Sequence, residues 1–416
     1  MMTSAQENTG LAGPDVDIAD ARVFENGHPH DLYDLLRSED PVHYVLSREG
    51  RPAYWLLTRH AEVQAVSRDT RRFTSTQGFR LFEIGGMAQL KPEIRTAISS
   101  TVLTLDPPRH EELRRPMEAA FMPRSLAAVR DKVEAFVDEM VAKLHGRDEI
   151  EFVSEFAASV PIKTLCLLLG IPREDEDKIF DWTNQLVGTS DPEYAVTPEQ
   201  TTAVFEHVFE YGRRLMGERR RNPQDDFLSV VANSTIDGKP IDGPERDGMF
   251  TLLLAAGNET TRNSLTGSIV ALSKFPRERA WLAANLDGLD HAIEELQRFV
   301  TPVIQMMRVA KEDVSLGGRS ISAGDRVVML YGAANRDPAV FTNPHALELA
   351  RPEARQHVSF GVGIHHCLGA RLARMQLRIL LQRLLTRFPN IEAVSEPRYL
   401  RSNFVSGVKS LQVRLA

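Results

Sequence analysis

Segments with helical periodicity dominate the sequence, above all from His60 onward. In these segments apolar residues recur every three to four positions, and Pro or Asp often stands at the first turn, as is typical of helix N-termini. Because strand-like runs are few and short, the pattern predicts a mainly α protein with small β-sheets, an α+β class. The predicted helices are Pro29–Ser38, Ser125–Leu144, Val160–Leu169, Pro198–Asn222, Pro244–Lys274, Arg277–Leu286, Leu289–Phe299 and one that carries Leu372, Met375, Ile379, Leu380 and Leu384.

The predicted strands lie in three places. Val42–Leu46 and Ala53–Thr58 flank a group of turn residues and are expected to form a hairpin. Val314–Leu330 is a second strand-rich stretch, in which Gly317-Gly318 and Ala323-Gly-Asp325 supply turns. Val405–Leu415 is expected to form a final hairpin.

The composition excludes several classes of protein. Two cysteines in 416 residues allow one disulfide at most, which argues against a secreted disulfide scaffold, and the net charge of −7 argues against a nucleic-acid-binding protein. The first twenty residues lack the basic and apolar regions of a signal peptide, and no apolar stretch approaches the roughly 18 residues that span a bilayer. We expect a cytoplasmic protein with a flexible lead-in at residues 1–20 and a single domain over residues 21–416.

The stretch Phe360-Gly-Val-Gly-Ile-His-His-Cys-Leu-Gly369 carries the clearest chemical signal. Its glycines allow backbone conformations that other residues avoid, and they permit close approach to a flat or bulky group. An amphipathic helix follows at once. Cys367 is therefore predicted at a helix N-terminus, where unpaired N–H groups and the helix dipole favour a thiolate.

Three uses of such a thiolate deserve comparison. A nucleophile in a phosphate cradle needs an arginine after five intervening residues, but Ala373 holds that position. A zinc site from His365, His366 and Cys367 is disfavoured because adjacent residues rarely converge on one tetrahedron. The third use is axial ligation of haem iron.

The same stretch resembles the haem-thiolate signature of the cytochrome P450 monooxygenases, Phe-x-x-Gly-x-His-x-Cys-x-Gly. The residues that match are Phe360, Gly363, His365, Cys367 and Gly369. The resemblance implies the cytochrome P450 fold, in which a long central helix crosses a buried haem b whose iron is ligated by Cys367. It also implies that the amides of Leu368, Gly369 and Ala370 donate hydrogen bonds to the sulfur.

A second motif, Ala256-Gly-Asn-Glu-Thr-Thr261, lies near the middle of the predicted helix from Pro244. A glycine and an acid–hydroxyl pair are unfavourable inside a helix, and such departures are expected at functional sites. A purely structural interpretation is a kinked helix in which Thr260 donates a hydrogen bond to the Ala256 carbonyl. The P450 resemblance implies instead that Thr260 supports oxygen activation and that Glu259 helps to relay protons.

The resemblance also implies which residues hold the haem. Its two propionates need cationic or hydrogen-bonding partners, for which four residues match family positions: His110, Arg114, Arg308 and His365. Further haem-binding positions are expected at Phe360, Gly363, Gly369 and Ala256.

Three charged residues and the other cysteine, Cys166, are predicted to have structural roles. Glu295 and Arg298 match a Glu-x-x-Arg pair, and the resemblance implies that Arg351 joins them in a buried ion-pair network. Cys166 lies in an apolar helical run and is expected to be a buried, inert thiol.

The implied reaction uses O₂ as co-substrate and inserts one oxygen atom into an unactivated C–H bond. No dinucleotide fingerprint is visible, so NAD(P)H is expected to act indirectly, through a ferredoxin reductase and a ferredoxin. We expect some of four arginines to form a basic docking surface for an acidic ferredoxin, solvated helix charge being the alternative. These are Arg109, Arg115, Arg371 and Arg374. The protein is expected to be a monomer that neither inserts into a membrane nor binds nucleic acid.

The expected substrate is a hydrophobic small molecule, such as a terpenoid, a steroid or a lipid-like compound. Its pocket is expected to include Phe79, Phe82, Leu252, Val303 and Val405. Two alternatives are a haem-thiolate binding or sensor protein without turnover and a haem-thiolate isomerase or peroxide-using haem enzyme. The intact Glu259–Thr260 pair favours the monooxygenase over both.

Overall fold

The computed structural model describes residues 17–48, 51–81, 90–187, 191–194 and 197–416. Helices are the main element, so the predicted α+β class with small sheets is confirmed. The helices are α1 (His30–Glu39), α2 (His60–Arg68), α3 (Pro92–Ser99), α4 (Arg109–Ala120), α5 (Pro123–Lys143), α6 (Ser159–Leu169), α7 (Glu176–Val187), α8 (Pro198–Arg221), α9 (Phe227–Ala232), α10 (Gly243–Lys274), α11 (Pro276–Ala284), α12 (Leu289–Val300), α13 (Tyr331–Ala334) and α14 (Ala370–Arg387).

The strands are short and form one larger sheet with several small ones. They are β1 (Val42–Val45), β2 (Tyr54–Leu57), β3 (Phe73–Thr74), β4 (Glu149–Glu151), β5 (Thr235–Ile236), β6 (Lys239–Pro240), β7 (Gln305–Ala310), β8 (Val314–Leu316), β9 (Arg319–Ile321), β10 (Arg326–Leu330), β11 (Glu392–Ala393), β12 (Arg398–Tyr399), β13 (Val408–Ser410) and β14 (Gln412–Arg414). The larger sheet has the order β1-β2-β10-β7-β3, in which only the β2–β10 pair is parallel.

Two predicted strand regions are confirmed. β1 and β2 form the expected antiparallel hairpin, with Tyr44 opposite Trp55. β8 and β9 form a second hairpin around Gly317 and Gly318, whose positive φ angles of 55° and 77° suit the two-residue turn.

The C-terminal hairpin predicted at Val405–Leu415 is wrong. β13 pairs with β12, whereas β14 pairs with β11 and β4. A single residue, Leu411, separates β13 from β14, and even the tightest common hairpin has two loop residues. The two strands therefore continue along one path into different sheets.

The last residues of the lead-in expected at residues 1–20 are packed against the rest of the protein. Ile18 and Ala19 are buried, and the Asn403 side chain donates a hydrogen bond to the Ala19 carbonyl at 3.2 Å. Residues 1–16 lie outside the described part of the chain. The four residues from Asp17 to Asp20 thus differ from the expectation of a loose segment.

The 32-residue helix α10 is the central element of the helical core. Asp242 caps its N-terminus by accepting a hydrogen bond from the Gly243 N–H at 2.9 Å. The helix packs against α3, α6, α8 and α12. Gly248 permits the close approach of α3, because a Cβ at this position would overlap the carbonyl oxygen of Ala97. No helix in the described ranges is both long and apolar enough to cross a membrane.

The predicted ion-pair network is confirmed between α12 and the segment that precedes the Cys367 loop. Arg298 donates to both carboxylate oxygens of Glu295 at 2.7 Å, and Arg351 Nε donates to Glu295 Oε1 at 3.0 Å. All three side chains are fully buried. Further hydrogen bonds from both arginines to backbone carbonyls satisfy their remaining donors, as a buried ion pair requires.

Candidate functional site

The Cys367 loop is closed by a backbone hydrogen bond in which the Cys367 N–H donates to the Phe360 carbonyl at 2.7 Å. Gly363 has a φ of 73°, and a Cβ there would lie 2.8 Å from the Ser67 carbonyl oxygen at the end of α2. Gly363 therefore permits the loop to pack on α2. Gly363 does not line the cavity beside the loop, and its expected contact with haem stays a prediction.

A cavity of about 350 Å³ lies beside this loop. Phe360, Cys367 and Gly369 line it on the loop side. The middle of α10 lines it as well, through Ala256, Glu259 and Thr260. The structure thus brings together two motifs that are far apart in the sequence.

Four of the five residues predicted for the substrate pocket line the same cavity. These are Phe79, Leu252, Val303 and Val405. Phe82 lies outside the described residues. Val303 and Val405 pair through an isolated β-bridge, which joins the segment before β7 to the C-terminal tail. The lining around these residues is mostly apolar.

The sequence analysis missed several lining residues. Phe205 and Phe209 stand four apart on α8, a helical spacing that could have indicated a shared apolar face. Ser264 donates hydrogen bonds to the Thr260 carbonyl at 2.8 Å and to Gln297 Oε1 at 3.2 Å. The position of Gln297, on α12, carried no local signal because only the folded chain brings it to α10.

Cys367 is exposed to the cavity that it lines, and protein atoms surround its thiol on the other sides. Burial raises the pKa of this thiol, whereas the Gly369 N–H and the guanidinium groups of Arg114 and Arg374 lower it. The predicted role of the Gly369 amide is therefore supported. The Ala370 N–H instead donates to the Cys367 carbonyl oxygen at 3.4 Å.

Three of the four residues expected to bind propionates line the cavity: Arg114, Arg308 and His365. Arg308 is only 4% exposed, donates to the Met307 carbonyl at 2.7 Å, and forms no ion pair with a carboxylate of the described residues. Burial lowers the pKa of Arg308. A buried cation without such a partner is unfavourable unless a ligand supplies an anion.

His110 lies against His365, with ring centroids 4.6 Å apart in an edge-to-face arrangement. His365 Nδ1 contacts the Val102 carbonyl at 3.0 Å, and its Nε2 contacts Ser75 Oγ at 3.1 Å. His110 is buried, and neither of its ring nitrogens has a hydrogen-bond partner within the described chain. Burial lowers the pKa of His110 to about 4 and that of His365 to about 2, so both rings are neutral near pH 7. A neutral ring still has one N–H to donate.

These observations fit a haem at this site. Cys367 provides a thiol in the cavity wall. The buried side chains of Arg308 and His110 have hydrogen-bond donors without an acceptor among the described residues. Two carboxylates on one edge of a flat, apolar ligand would use the unpartnered donors of Arg308 and His110. Among the described residues, no cluster of three or more His, Cys, Asp or Glu side chains could hold a metal ion, so the structure offers no support for the zinc alternative.

On α10, Thr260 Oγ1 donates a hydrogen bond to the Ala256 carbonyl at 2.9 Å. This contact is the one expected from the structural interpretation of the motif, and Thr260 also lines the cavity. Glu259 is buried, forms an ion pair with Arg262, and accepts a hydrogen bond from Asn263 Nδ2 at 3.2 Å. The acid–hydroxyl pair therefore faces the cavity with both side chains held by their own helix.

Comparison with known proteins identifies the family. A family profile described as Cytochrome P450 matches residues 282–413. The chain is 34% identical to the linalool 8-monooxygenase of Pseudomonas putida over 405 residues, which cover 96% of this chain and 98% of the relative. This chain belongs to the cytochrome P450 family.

Two further similarities extend this result. The methyl-branched lipid omega-hydroxylase of Mycobacterium tuberculosis is 34% identical over 422 residues, which cover 97% of this P450 and 96% of the relative. The crystal structure of CYP108D1 from Novosphingobium aromaticivorans matches with a TM-score of 0.87 at 32% identity, covering 96% of this chain and 97% of that chain. The predicted fold is therefore confirmed.

As a cytochrome P450, the protein is a haem-dependent monooxygenase. When bound, the haem with its cysteine thiolate supplies oxygen activation, with electrons that redox partners deliver from NAD(P)H. Of the two cysteines, only Cys367 lines the cavity. Cys166 is buried in α6, as predicted, and burial raises the pKa of its thiol to about 12.

Proposed function

We propose that this P450 hydroxylates an unactivated C–H bond of a terpenoid, steroid or lipid-like molecule, with electrons from a ferredoxin and its reductase. The observation that carries this proposal is the mostly apolar cavity lined by both Thr260 and Cys367. Apolar walls favour a hydrophobic substrate, because binding removes apolar surface from water. The activities for which the two relatives are named, on linalool and on a methyl-branched lipid, support the same substrate class.

The proposed roles of the site residues follow from their contacts. Cys367 is the thiolate ligand of the iron, and the propionates bind His110, Arg114 and Arg308. His365 was also expected to bind a propionate, but its ring nitrogens already contact the Val102 carbonyl and Ser75 Oγ, so we assign it to positioning the loop. The Thr260 O–H donates to the Ala256 carbonyl, which leaves the lone pairs of its oxygen to accept a hydrogen bond at the cavity. Glu259, adjacent in the chain, is the proposed source of relayed protons.

The proposed docking surface for ferredoxin is smaller than the sequence suggests. Arg109 is paired with Glu245 and Glu112, so its charge is largely compensated. Arg374 is likewise paired with the carboxylate of Glu294. The two remaining arginines, Arg115 on α4 and Arg371 on α14, are exposed. We therefore assign the docking role to Arg115 and Arg371.

The first experiment compares the absorption spectra of the reduced, CO-bound holoprotein for the wild type and Cys367→His. The thiolate-type Soret band is expected in the wild type alone, and its absence from the wild type would refute the haem-thiolate assignment. The second experiment supplies NADH, a ferredoxin and its reductase, and measures oxygen insertion into linalool and a methyl-branched fatty acid by mass spectrometry. Product with hydrogen peroxide alone would favour the peroxide-using alternative, and substrate binding without any product would favour a sensor.

The docking assignment has its own test. Charge reversal by Arg371→Glu is expected to slow ferredoxin-dependent reduction about tenfold at low salt and to leave substrate binding unchanged. The matched control is Arg109→Glu, whose charge is already compensated by two carboxylates. Equal effects of the two variants would contradict the assignment.

A further inference from the structure

A third arginine, Arg80, lines the cavity besides Arg114 and Arg308. Arg80 belongs to the cavity wall together with Phe79, Val303, Phe404 and Val405. Its guanidinium carbon lies 4.6 Å from the ring centroid of Phe404 and 6.0 Å from that of Phe79. The two rings are themselves 5.7 Å apart in an edge-to-face arrangement. Aromatic faces therefore hold the Arg80 cation beside an apolar cavity.

The backbone on both sides of Arg80 is fixed to the sheet. The Met307 N–H donates to the Phe79 carbonyl at 2.6 Å, and the Leu81 N–H donates to Gln305 Oε1 at 3.2 Å. The Ile304 N–H in turn donates to the Phe404 carbonyl at 2.8 Å, which ties the tail loop to the same segment. Arg80 and the rings that hold it are thus positioned on a rigid support, as a recognition residue requires.

The haem does not account for Arg80. Other residues are the proposed partners of its propionates: Arg308 and His110, which have donors without an acceptor among the described residues, and Arg114, which also pairs with Glu118. Arg80 instead accompanies Phe79, Val303 and Val405, which the sequence assigns to the substrate pocket. A guanidinium presents a planar fork of N–H donors that matches a carboxylate, and the low dielectric of an apolar wall strengthens that contact.

We propose that Arg80 determines specificity by binding the carboxylate of an amphiphilic substrate, so that this P450 prefers apolar acids to their neutral esters. This inference rests on the proposed hydroxylation of a hydrophobic molecule and adds the chemistry of its polar end. The carboxylate lies at Arg80, and the apolar chain extends along the cavity toward Thr260 and Cys367. Oxidation therefore falls on carbons remote from the carboxyl group.

The test uses the purified holoenzyme and follows binding through the spin-state change of the haem spectrum at pH 7.4. The ligands are two matched pairs: dodecanoic acid with methyl dodecanoate, and citronellic acid with methyl citronellate. The wild type is expected to bind each acid at least tenfold more tightly than its ester. Arg80→Met is expected to weaken acid binding at least tenfold, to change ester binding less than threefold, and so to bring the ratio near one.

Two further variants distinguish the effect of the Arg80 charge from an effect on folding. Arg80→Lys keeps the charge and is expected to retain part of the preference, and Arg71→Met removes an exposed arginine outside the cavity and is expected to retain all of it. The CO-bound band measures the correctly folded fraction of each variant. An acid-to-ester ratio near one in the wild type, no detectable acid binding, or a preference that survives in Arg80→Met would overturn the inference. None of these results would contradict the proposed monooxygenase activity. That proposal is refuted only if the thiolate-type band and the oxidation of neutral substrates are absent.

Discussion

Glu259 and Arg262 form an ion pair one helical turn apart on α10, with the carboxylate buried at the edge of the haem cavity. Asn263 Nδ2 holds the second carboxylate oxygen at 3.2 Å. Arg262 also reaches Asn184 Oδ1 on α7 at 3.4 Å. The acid of the proposed proton relay is therefore held in place by side chains that connect α10 to the neighbouring helix.

Replacing Glu259 with glutamine tests the relay. Glu259→Gln keeps the size of the side chain but removes the group that exchanges protons, and a positioned acid or base typically contributes 10²–10⁴-fold to a rate. We expect kcat for product formation to fall about 100-fold, with substrate affinity changed less than threefold. Steady-state turnover and spin-state titrations measure the two quantities. The control is Glu210→Gln on the exposed side of α8, and an unchanged kcat in Glu259→Gln would remove Glu259 from the relay.

Thr260→Val tests the role of the Thr260 hydroxyl, which is adjacent to Glu259 in the chain. The substitution removes the O–H that donates to the Ala256 carbonyl, while the side chain keeps nearly the same volume. We expect product formed per NADH consumed to fall about tenfold, and the free energy of unfolding to change by less than about 1 kcal/mol. Product yield and urea denaturation provide the two measurements. Thr260→Ser, which keeps the hydroxyl, should recover most of the yield.

Features encoded by local patterns were predictable from the sequence. Helical periodicity located α10 and α14 to within a few residues, and glycine spacing marked the loop around Cys367. The partners of these elements were not predictable, because they depend on contacts between distant segments. Gly363 illustrates this limit, since its steric requirement comes from Ser67 in another helix. The ion pair between Arg374 and Glu294 shows the same limit for charged residues, because its two members lie on different helices.

The C-terminal tail shows the same limit for strands. The predicted hairpin correctly placed strands between Val405 and Leu415, but the local sequence does not specify which strand is the neighbour. β14 finds its partners in β4 and β11, and β4 lies far upstream in the chain. Arg80 was missed for the same reason, because its significance depends on Phe404 in this tail.

The buried network of Glu295, Arg298 and Arg351 is expected to dominate the effect of charge removal on stability. Arg351→Met leaves a fully buried carboxylate with one cation fewer, and breaking a buried pair costs about 3–5 kcal/mol. We expect this loss in urea denaturation, together with reduced haem incorporation. The control is Arg383→Met, which removes partly exposed pairs to Glu134 and Asp138 and is expected to cost less than about 1 kcal/mol. Similar losses in the two variants would contradict the proposed importance of burial.

Glu294 gives the protein a specific sensitivity to acid. Burial raises the pKa of this carboxyl, but hydrogen bonds from Arg374 and His357 outweigh burial and hold the pKa at about 2, below the ordinary value of 4.5. A group whose pKa is lower in the folded state stabilises the fold above its unfolded pKa and loses that contribution as the pH falls toward its folded pKa. The contribution of Glu294 is therefore complete above about pH 4.5 and declines between pH 4.5 and 2.

Urea denaturation of the wild type and Glu294→Gln at several values between pH 7 and pH 3 measures this contribution. Glutamine cannot ionise, so the difference in the free energy of unfolding between the two proteins should be constant above pH 4.5 and should shrink below it. The matched control is Glu139→Gln on α5, whose carboxyl is exposed, so the difference should stay small throughout. A difference between wild type and Glu294→Gln that persists unchanged to pH 3 would show that the Arg374 and His357 contacts do not stabilise the ionised carboxylate in solution.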